Sequence, residues 1–476
     1  MSDGTTTNAG ARAAVAAALV GSEAWIVGGA PRDRLLGRQT DDLDIVLAGD
    51  VAGAARALGR VAGGLPFALS DDFGAWRVIA HDRTWQVDLN PLRGESLEAD
   101  LRRRDFTVNA IAEPLGGGEL IDPLGGAADL AARRLRAAGP TAFEDDALRV
   151  LRLVRLAVEL GLEPEPATAE AARRAAPALA QVAPERVFAE LRRILAADRV
   201  LAGVQLLDAL AVTAVILPEL EALRGVEQNR FHHRDVFGHT IEVLGAVVAL
   251  QRDPAALLGD DAADAVTALL REPLSDELTR GTALRLGALM HDIAKPVTEG
   301  HLQDGRVTFI GHDVAGARMS REILTRLRTS ERLRVHVSAL ARQHLALGFL
   351  VHEAPLSRRA TFAYLRACAP VEVDVTLLSI ADRVATRGDG AEAAIARHLE
   401  LARSVLADAL AWREHGPPVA LLRGDELARE MGLAPGPQIG RRLEELRAAQ
   451  YAGEVRTKPE AEAWARAAAE LPGRVD

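Results

Sequence analysis

Two sets of side chains in this sequence have the types and spacing needed to hold metal ions and act on phosphates. The first starts at a glycine pair in the run Ile26-Val27-Gly28-Gly29-Ala30-Pro31-Arg32-Asp33. Lacking a Cβ, glycine lets backbone amides approach a phosphate closely where a strand turns into a helix. Further along stand Asp42 and Asp44, in Asp42-Leu43-Asp44-Ile45-Val46. Two residues apart on a strand, they point to one face. Such a pair can hold two Mg²⁺ ions, whose chemistry is to activate an attacking hydroxyl and neutralise a leaving pyrophosphate. A bare Asp-x-Asp is usually a solvated strand edge; the glycine pair and the apolar Leu43, Ile45 and Val46 set this one apart. Asp88, in Trp85-Gln86-Val87-Asp88-Leu89, is either a third carboxylate or an Asp that merely ends a strand.

The second set is His239, the adjacent His291-Asp292, His312, His344 and Asp382, each in an apolar or amphipathic stretch. A lone histidine of this kind is a core or surface residue. Six ordered imidazoles and carboxylates instead suggest a divalent metal, with hydrolysis of a phosphoester as its chemistry. His291 and Asp292 can both reach one site only from a helix end or kinked turn. A purely structural metal site is the alternative. Lys295, close behind, reads as a snorkelling surface lysine or else as a phosphate ligand.

Three further motifs follow the paired aspartates. Arg102-Arg103-Arg104-Asp105-Phe106-Thr107-Val108-Asn109-Ala110 concentrates charge ahead of an apolar stretch and, taken alone, reads as a salt-bridged helix start. Ile121-Asp122-Pro123-Leu124-Gly125-Gly126 comes next. In Phe143-Glu144-Asp145-Asp146-Ala147-Leu148-Arg149-Val150-Leu151-Arg152-Leu153-Val154-Arg155, the residues Asp146, Arg149, Arg152 and Arg155 recur every third position, which places neighbours on a shared helical side. By themselves they would be a solvated stripe.

In this order, the motifs resemble the class II tRNA nucleotidyltransferase and bacterial poly(A) polymerase family, and the His/Asp set resembles the HD superfamily of phosphohydrolases. The resemblance implies that Asp42 and Asp44, with Asp88, are catalytic. Gly28, Gly29, Arg32 and Asp33 would then cradle the triphosphate, and Arg104, Asp105 and Asn109 would position sugar and phosphate. Asp146 and Arg149 would read the Watson-Crick edge of the incoming nucleotide in place of a template, while Arg152 and Arg155 meet phosphate. His239, His291, Asp292, His312, His344 and Asp382 would hold one or two divalent ions of unassigned identity, besides Mg²⁺ at the aspartate pair. The implied partners are a tRNA 3′ end, CTP and ATP. Two departures stand out. Asp145-Asp146 replaces the family's Glu-Asp pair, and only the fifteen positions Leu89 to Arg103 separate Asp88 from Arg104, where many CCA-adding members carry a long flexible loop. That loop is tied to the switch from C to A, so its shortness sets an enzyme that adds only CC beside one that adds the full CCA. Poly(A) synthesis, a phosphohydrolase with an inactive transferase half, and a non-catalytic RNA-binding protein are the competing readings.

The elements that must carry these residues follow from composition and patterning. With 476 residues, 49% hydrophobic but only 4% aromatic, the chain should be α+β and mostly α, its helices packed through Ala, Leu and Val. Trp25 to Val27, Leu43 to Leu47, Trp76 to Ile79 and Trp85 to Leu89 read as strands of a small mixed sheet, and three- and four-residue apolar spacing takes over after Ala131. Breaks at prolines and glycines suggest a head over 1–132, a neck and body over 133–228, an HD domain over 229–405 and a C-terminal tail over 406–476. The tail's Arg441 and Arg442, in an amphipathic segment Ile439 to Leu446, suggest contact with tRNA phosphates or simple packing. A net charge of -10 argues against a protein that coats nucleic acid indiscriminately, so RNA contact should be local. The single cysteine, Cys368, excludes an intramolecular disulfide framework and a Cys-rich zinc site. No eighteen-residue apolar run or signal-peptide pattern is present, and the expected location is the cytoplasm.

Overall fold

A computed structural model describes residues 5–40, 42–70, 74–229 and 231–470. Contacts divide the chain into two compact units, Met1–Ile216 and Leu217–Asp476.

The first unit is built on a six-stranded sheet of β1 (Ala24–Val27), β2 (Asp42–Leu47), β3 (Gly64–Ser70), β4 (Ala75–Ala80), β5 (Gln86–Pro91) and β6 (Glu113–Pro114). Its order is β3-β4-β5-β2-β1-β6. Neighbours are antiparallel except β2 and β5, which run parallel with Asp44 opposite Asp88. Four strands fall where the patterning placed them, and β3 and the two-residue β6 are additional. The alternation of β2 decides what the sheet displays: Leu43, Ile45 and Leu47 are buried in a core shared with α1 (Thr5–Ala18) and α3 (Val51–Ala62). Val46 faces the other way, into a smaller core with Leu97 and Leu101 of α4 (Leu97–Arg102), while Asp42 and Asp44 remain open to solvent. Serine 96 caps α4 through a hydrogen bond from the Ala99 amide, and Glu98 and Asp100 complement the dipole of its first turn. The Arg102-Arg103-Arg104 run therefore closes a helix instead of opening one, since the helix was already capped upstream.

After the sheet, the chain is helical. The helix Arg149–Leu160 packs on Pro184–Ala196 and Val200–Ala209, burying Val150, Leu151, Leu153, Val154 and Leu156. At Gly203 a Cβ would lie 2.8 Å from Ile194 Cγ2, so a larger residue would push these helices apart.

The second unit surrounds the helix Arg280–Met290, every residue of which except Arg285 is buried. A helix apolar on all sides belongs in the middle of a bundle. Around it lie Val236–Arg252, Asp260–Arg271, Glu331–Gln343 and Glu372–Ala385, with His312–Arg326 packed on Glu331–Gln343 and Ala391–His415 on Glu372–Ala385. Helices Gly424–Met431, Pro437–Tyr451 and Lys458–Glu470 close the chain around their own small core, which includes Leu427, Leu446 and Ala461. Among the described residues no helix is long and apolar enough to cross a membrane.

Candidate functional site

The aspartate pair sits as its spacing requires. β1 ends at Val27, opposite Asp44, and the chain then bends at Gly28 with φ 74° before α2 (Gly29–Leu35) begins. A Cβ on Gly28 would lie 2.8 Å from Asp44 Oδ2, so both the backbone angle and the close approach require glycine here. Asp42 and Asp44 share the open face of β2, and Asp88 is the partner of Asp44 across the parallel pair. Desolvation raises the Asp44 carboxyl above its ordinary value; Arg104 opposes this, and the nearby Asp88 and Asp42 charges reinforce it. Adjacent carboxylates that repel in this way favour a bound cation, and three oxygen donors suit a hard one. Asp88 is not idle: Arg77 on β4 donates to its Oδ1 from Nε at 2.6 Å and to its Oδ2 from Nη2 at 2.7 Å.

Behind the pair runs a continuous polar chain. Arg32 donates to Asp33 through Nε and Nη2, each at 2.9 Å, and to Asn109 Oδ1 through Nη1 at 2.6 Å. Asn109 Nδ2 donates to Asp105 Oδ1 at 2.9 Å, and Arg152 donates to Asp105 Oδ2 from Nε at 2.9 Å and Nη2 at 2.6 Å. Burial alone would raise the Asp105 carboxyl, but the Arg152 charge and its hydrogen bonds bring it below the usual range. Arg104 pairs with the buried Asp100 at 3.1 Å.

The helix stripe divides into three environments. Asp146 precedes the helix, accepts from the Leu148 amide at 3.0 Å and pairs with Arg186 at 2.8 Å. Arg149 donates to the carbonyls of Ala142, Arg103 and Arg104 at 3.0, 2.9 and 3.3 Å. Arg152 reaches the head through Asp105, whereas Arg155 does not. It is 6% exposed and held by Glu190 at 2.6 Å and Glu159 at 3.0 Å, so the phosphate contact expected of it is corrected. Its place on the helix turns it into the packing against Pro184–Ala196, where Glu190 meets its charge together with Glu159 one turn further along its own helix.

In the second unit, the six His and Asp residues come together. Helix Arg280–Met290 ends at His291, and this helix end allows His291 and the following Asp292 to share a centre. His239, His291 and Asp292 form one group with ligand atoms within 4.8 Å of one another, and Asp292, His312 and His344 form another. Asp292 joins the two groups. Asp382 Oδ1 accepts from His239 Nε2 at 3.0 Å. Three of the rings are oriented alike: Nδ1 of His291, His312 and His344 faces the carbonyls of Ala288, Phe309 and Ala341 at 2.8, 2.6 and 2.8 Å. A carbonyl only accepts, so each Nδ1 carries the proton and each Nε2 offers a lone pair. The Nε2 atoms of His312 and His344 then face each other at 3.2 Å, and the buried Nε2 of His291 makes no well-aligned hydrogen bond, with Asp292 Oδ2 3.1 Å away. Lone pairs facing inward in this way fit a divalent cation, with carbonyl groups orienting the rings as is usual for metal ligands.

Burial and repulsion from His291 and His312 lower His344 to about 4, which keeps it neutral. Burial would lower His291, but the Asp292 charge reverses this and raises it. Burial would raise Asp292; His291 and Lys295 instead hold it well below the carboxylate range. Lys295 is not the surface lysine expected from sequence: it is 7% exposed, 2.7 Å from Asp292 Oδ2, and donates to Gln228 at 2.6 Å.

Sequence reasoning passed over Arg77, Asp100, Glu159, Glu190 and Gln228. Alternation along Trp76-Arg77-Val78 could have flagged Arg77, because a lone arginine amid an apolar strand needs a partner across the sheet. Asp100 and Glu159 stand four positions from Arg104 and Arg155, a helical spacing that could have flagged them, whereas Glu190 and Gln228 lie 35 and 67 positions from their partners, which no local pattern encodes.

A sheet bearing adjacent aspartates at a glycine bend, followed by helices and a buried His/Asp centre, defines a nucleotidyltransferase head with an HD-type metal domain. Family models agree: "Poly A polymerase head domain" matches residues 24–136, "Probable RNA and SrmB- binding site of polymerase A" matches 161–223, and "HD domain" matches 236–387. Over 457 residues the chain is 36% identical to the A-adding tRNA nucleotidyltransferase of Deinococcus radiodurans, covering 94% of this chain and 96% of that one. Over 450 residues it is also 36% identical to the CC-adding tRNA nucleotidyltransferase of Thermus thermophilus, covering 93% of each. The chain belongs to the tRNA nucleotidyltransferase family. Its fold is also that of the Thermotoga maritima CCA-adding enzyme solved with tRNA, with a TM-score of 0.64 at 20% identity over 98% of this chain and 96% of that one.

Proposed function

We propose that this chain transfers nucleotides from triphosphates to the 3′ end of tRNA without a nucleic-acid template, and that it stops after CC. The observation that carries the choice of CC is the compact link after β5: Leu92 to Ser96 lead straight into α4, leaving no room for the long loop tied to adding A. The relatives named above divide between A and CC addition at equal identity, so the reading of CC rests on the short link and not on overall similarity.

Asp42 and Asp44 would hold Mg²⁺ at the open face of β2, with Asp88 beside them. When bound, Mg²⁺ supplies charge neutralisation on the triphosphate and lowers the cost of ionising the RNA hydroxyl. The chain's own residues set the geometry. The Gly28 bend brings backbone against Asp44, Arg32 is bonded to Asn109, and Arg152 ties the helix Arg149–Leu160 to the head through Asp105. Asp146, Arg149 and Arg152 would meet the incoming base and phosphates, Asp146 and Arg149 by releasing their present partners. In the HD unit, His239, His291, Asp292, His312, His344 and Asp382 would hold one or two divalent ions, which supply Lewis acidity for hydrolysing a phosphoester. The four-part division into head, neck and body, HD domain and tail belongs to the same reading, with a tRNA-binding tail and a cytoplasmic location.

The deciding experiment offers tRNA transcripts ending before the first C, after one C and after CC, with labelled CTP and ATP. Two cytidines and no adenosine are expected. Efficient A incorporation on the CC-ended transcript would overturn CC-only addition, and long A tracts would mean poly(A) synthesis.

A further inference from the structure

The open face of the head sheet does not end at the aspartates. Strand register carries two rows of side chains across it. One runs from Asp44 on β2 through Asp88 on β5 and Arg77 on β4 to Phe67 on β3, and beside it stand Asp42, Gln86, Ile79 and Leu65. The opposite face is packed on α3: Val78 and Val87 are buried there, and a Cβ on Gly59 would lie 3.0 Å from Pro66 Cδ. Alternation along β3 therefore puts Leu65 and Phe67 on the side of the acids. Near Val46 that side is covered by Leu97 and Leu101 of α4, but at β3 it is open, with Leu65 59% and Phe67 42% exposed.

The place of these two side chains at the outer end of the rows points to what covers them. Strands about 4.8 Å apart put Phe67 about 10 Å from Asp88 and about 14 Å from Asp44. An RNA strand whose terminal hydroxyl lies at the acids and which continues outward along the row therefore brings its next nucleotide toward Phe67. Arg77 commits its guanidinium to Asp88 through Nε and Nη2, so the lane beyond it offers apolar surface and not a phosphate ligand. Such a surface suits a base, since every base has a π-face and stacking on an aromatic ring is tolerant of sequence. An edge strand also invites pairing with a second copy of the chain. The exposed parts of Leu65, Phe67 and Ile79 are, however, far smaller than the roughly 800 Å² per partner of a stable protein interface.

We propose that Phe67, flanked by Leu65 and Ile79, is a stacking platform for the RNA acceptor strand and takes the base of the nucleotide that precedes the accepting one. The platform holds the strand so that its terminal hydroxyl falls beside Asp44 and Asp88. Because it meets a ring face and not a base edge, it serves RNAs of any sequence at that position. The inference rests on the transfer reading above and adds to it a subsite for RNA.

The test uses full-length protein with Mg²⁺, CTP and two tRNA substrates that end after the first C, one intact and one abasic at the nucleotide before that C. Wild type is expected to add the second C to both, with KM about tenfold higher for the abasic RNA and KM for CTP alike within twofold. Phe67→Ala should raise KM for the intact RNA about tenfold and should use intact and abasic RNA equally, because the base has lost its partner. Phe67→Trp should keep the preference for intact RNA, and Leu65→Ser should weaken that preference about threefold. A Phe67→Ala protein that still prefers intact RNA tenfold overturns the platform, as does a wild type that uses both RNAs equally. A wild type that sediments as a dimer, with Phe67→Ala a monomer of unchanged KM for RNA, makes β3 an edge between copies and overturns it too. No incorporation of C by wild type into the intact RNA removes the reading of C addition and the inference with it.

Discussion

The head and the HD unit solve one problem, holding cations on carboxylates, in opposite ways. In the HD unit the ligands are buried, their rings are locked by backbone carbonyls, and two groups of ligand atoms already lie within 4.8 Å of one another. In the head the acids stand open, and among the described residues they do not draw into such a group. Arg77 occupies Asp88, and Asp44, although on the exposed side of its strand, is crowded enough by surrounding atoms that desolvation and its acidic neighbours raise its carboxyl. The difference reflects what else brings ligands. A Mg²⁺ ion that arrives with a triphosphate takes part of its coordination from the substrate, so the protein need supply only a few oxygens. A resident ion in a cleft with no such partner needs its whole set assembled beforehand, and only burial and ring-orienting hydrogen bonds do that.

The sharpest way to break this comparison is to cross one variant from each site with one assay for each. Asp44→Ala should lower nucleotide incorporation about a thousandfold, roughly 4 kcal/mol of lost transition-state stabilisation, and leave p-nitrophenyl phosphate hydrolysis within twofold of wild type. His291→Ala should do the reverse and should also lose bound metal by elemental analysis. If either variant lost both activities, the two centres would not be independent.

How far each site could be read from sequence follows from the same contrast. The aspartate pair was legible because strand period and a glycine bend are local signals, and the meeting of His291 with Asp292 was legible because neighbours share a site only at a helix end. Arg155 was misread because a three-residue spacing identifies a helix side without saying what lies against it. Glu190, 35 positions away, buries that side with it. Lys295 was misread because its fate depends on Asp292 being sequestered by histidines from three other helices. β3 escaped notice because Gly64 and Pro66 interrupt its pattern, yet it pairs with β4 over most of its length.

A smaller effect sharpens the contrast in stability. Ions that bind only the folded HD unit stabilise it by mass action, by about 2.7 kcal/mol at a hundredfold excess over Kd. Chelation should therefore lower the melting temperature of the HD transition by about 5–10 °C, and His312→Ala should abolish this sensitivity. Adding or removing Mg²⁺ without a triphosphate should leave the head transition in place. A head transition as sensitive to chelation as the HD one would mean that the head, too, binds its metals in advance.

The smallest expected effect concerns Arg77, and its sign matters more than its size. The bidentate grip on Asp88 either steadies that carboxylate beside Asp44 or keeps it from a cation. The register favours steadying: Arg77 sits directly across from Asp88 on β4, while Asp44 is across from it on β2, so the guanidinium holds one side of a carboxylate whose strand presents it next to the aspartate pair. Both partners keep substantial solvent contact, and removing the pair should cost at most about 1 kcal/mol of stability. Arg77→Gln is thus expected to melt within a few degrees of wild type while kcat for CTP incorporation falls about three- to tenfold. Arg77→Lys should restore only part of it, because an ammonium cannot reproduce the two-point grip. Asp88→Asn should fall further than either. A rise in kcat for Arg77→Gln would instead mean that the arginine restrains Asp88, and the open acids of the head would then be a site held in check by a neighbouring strand.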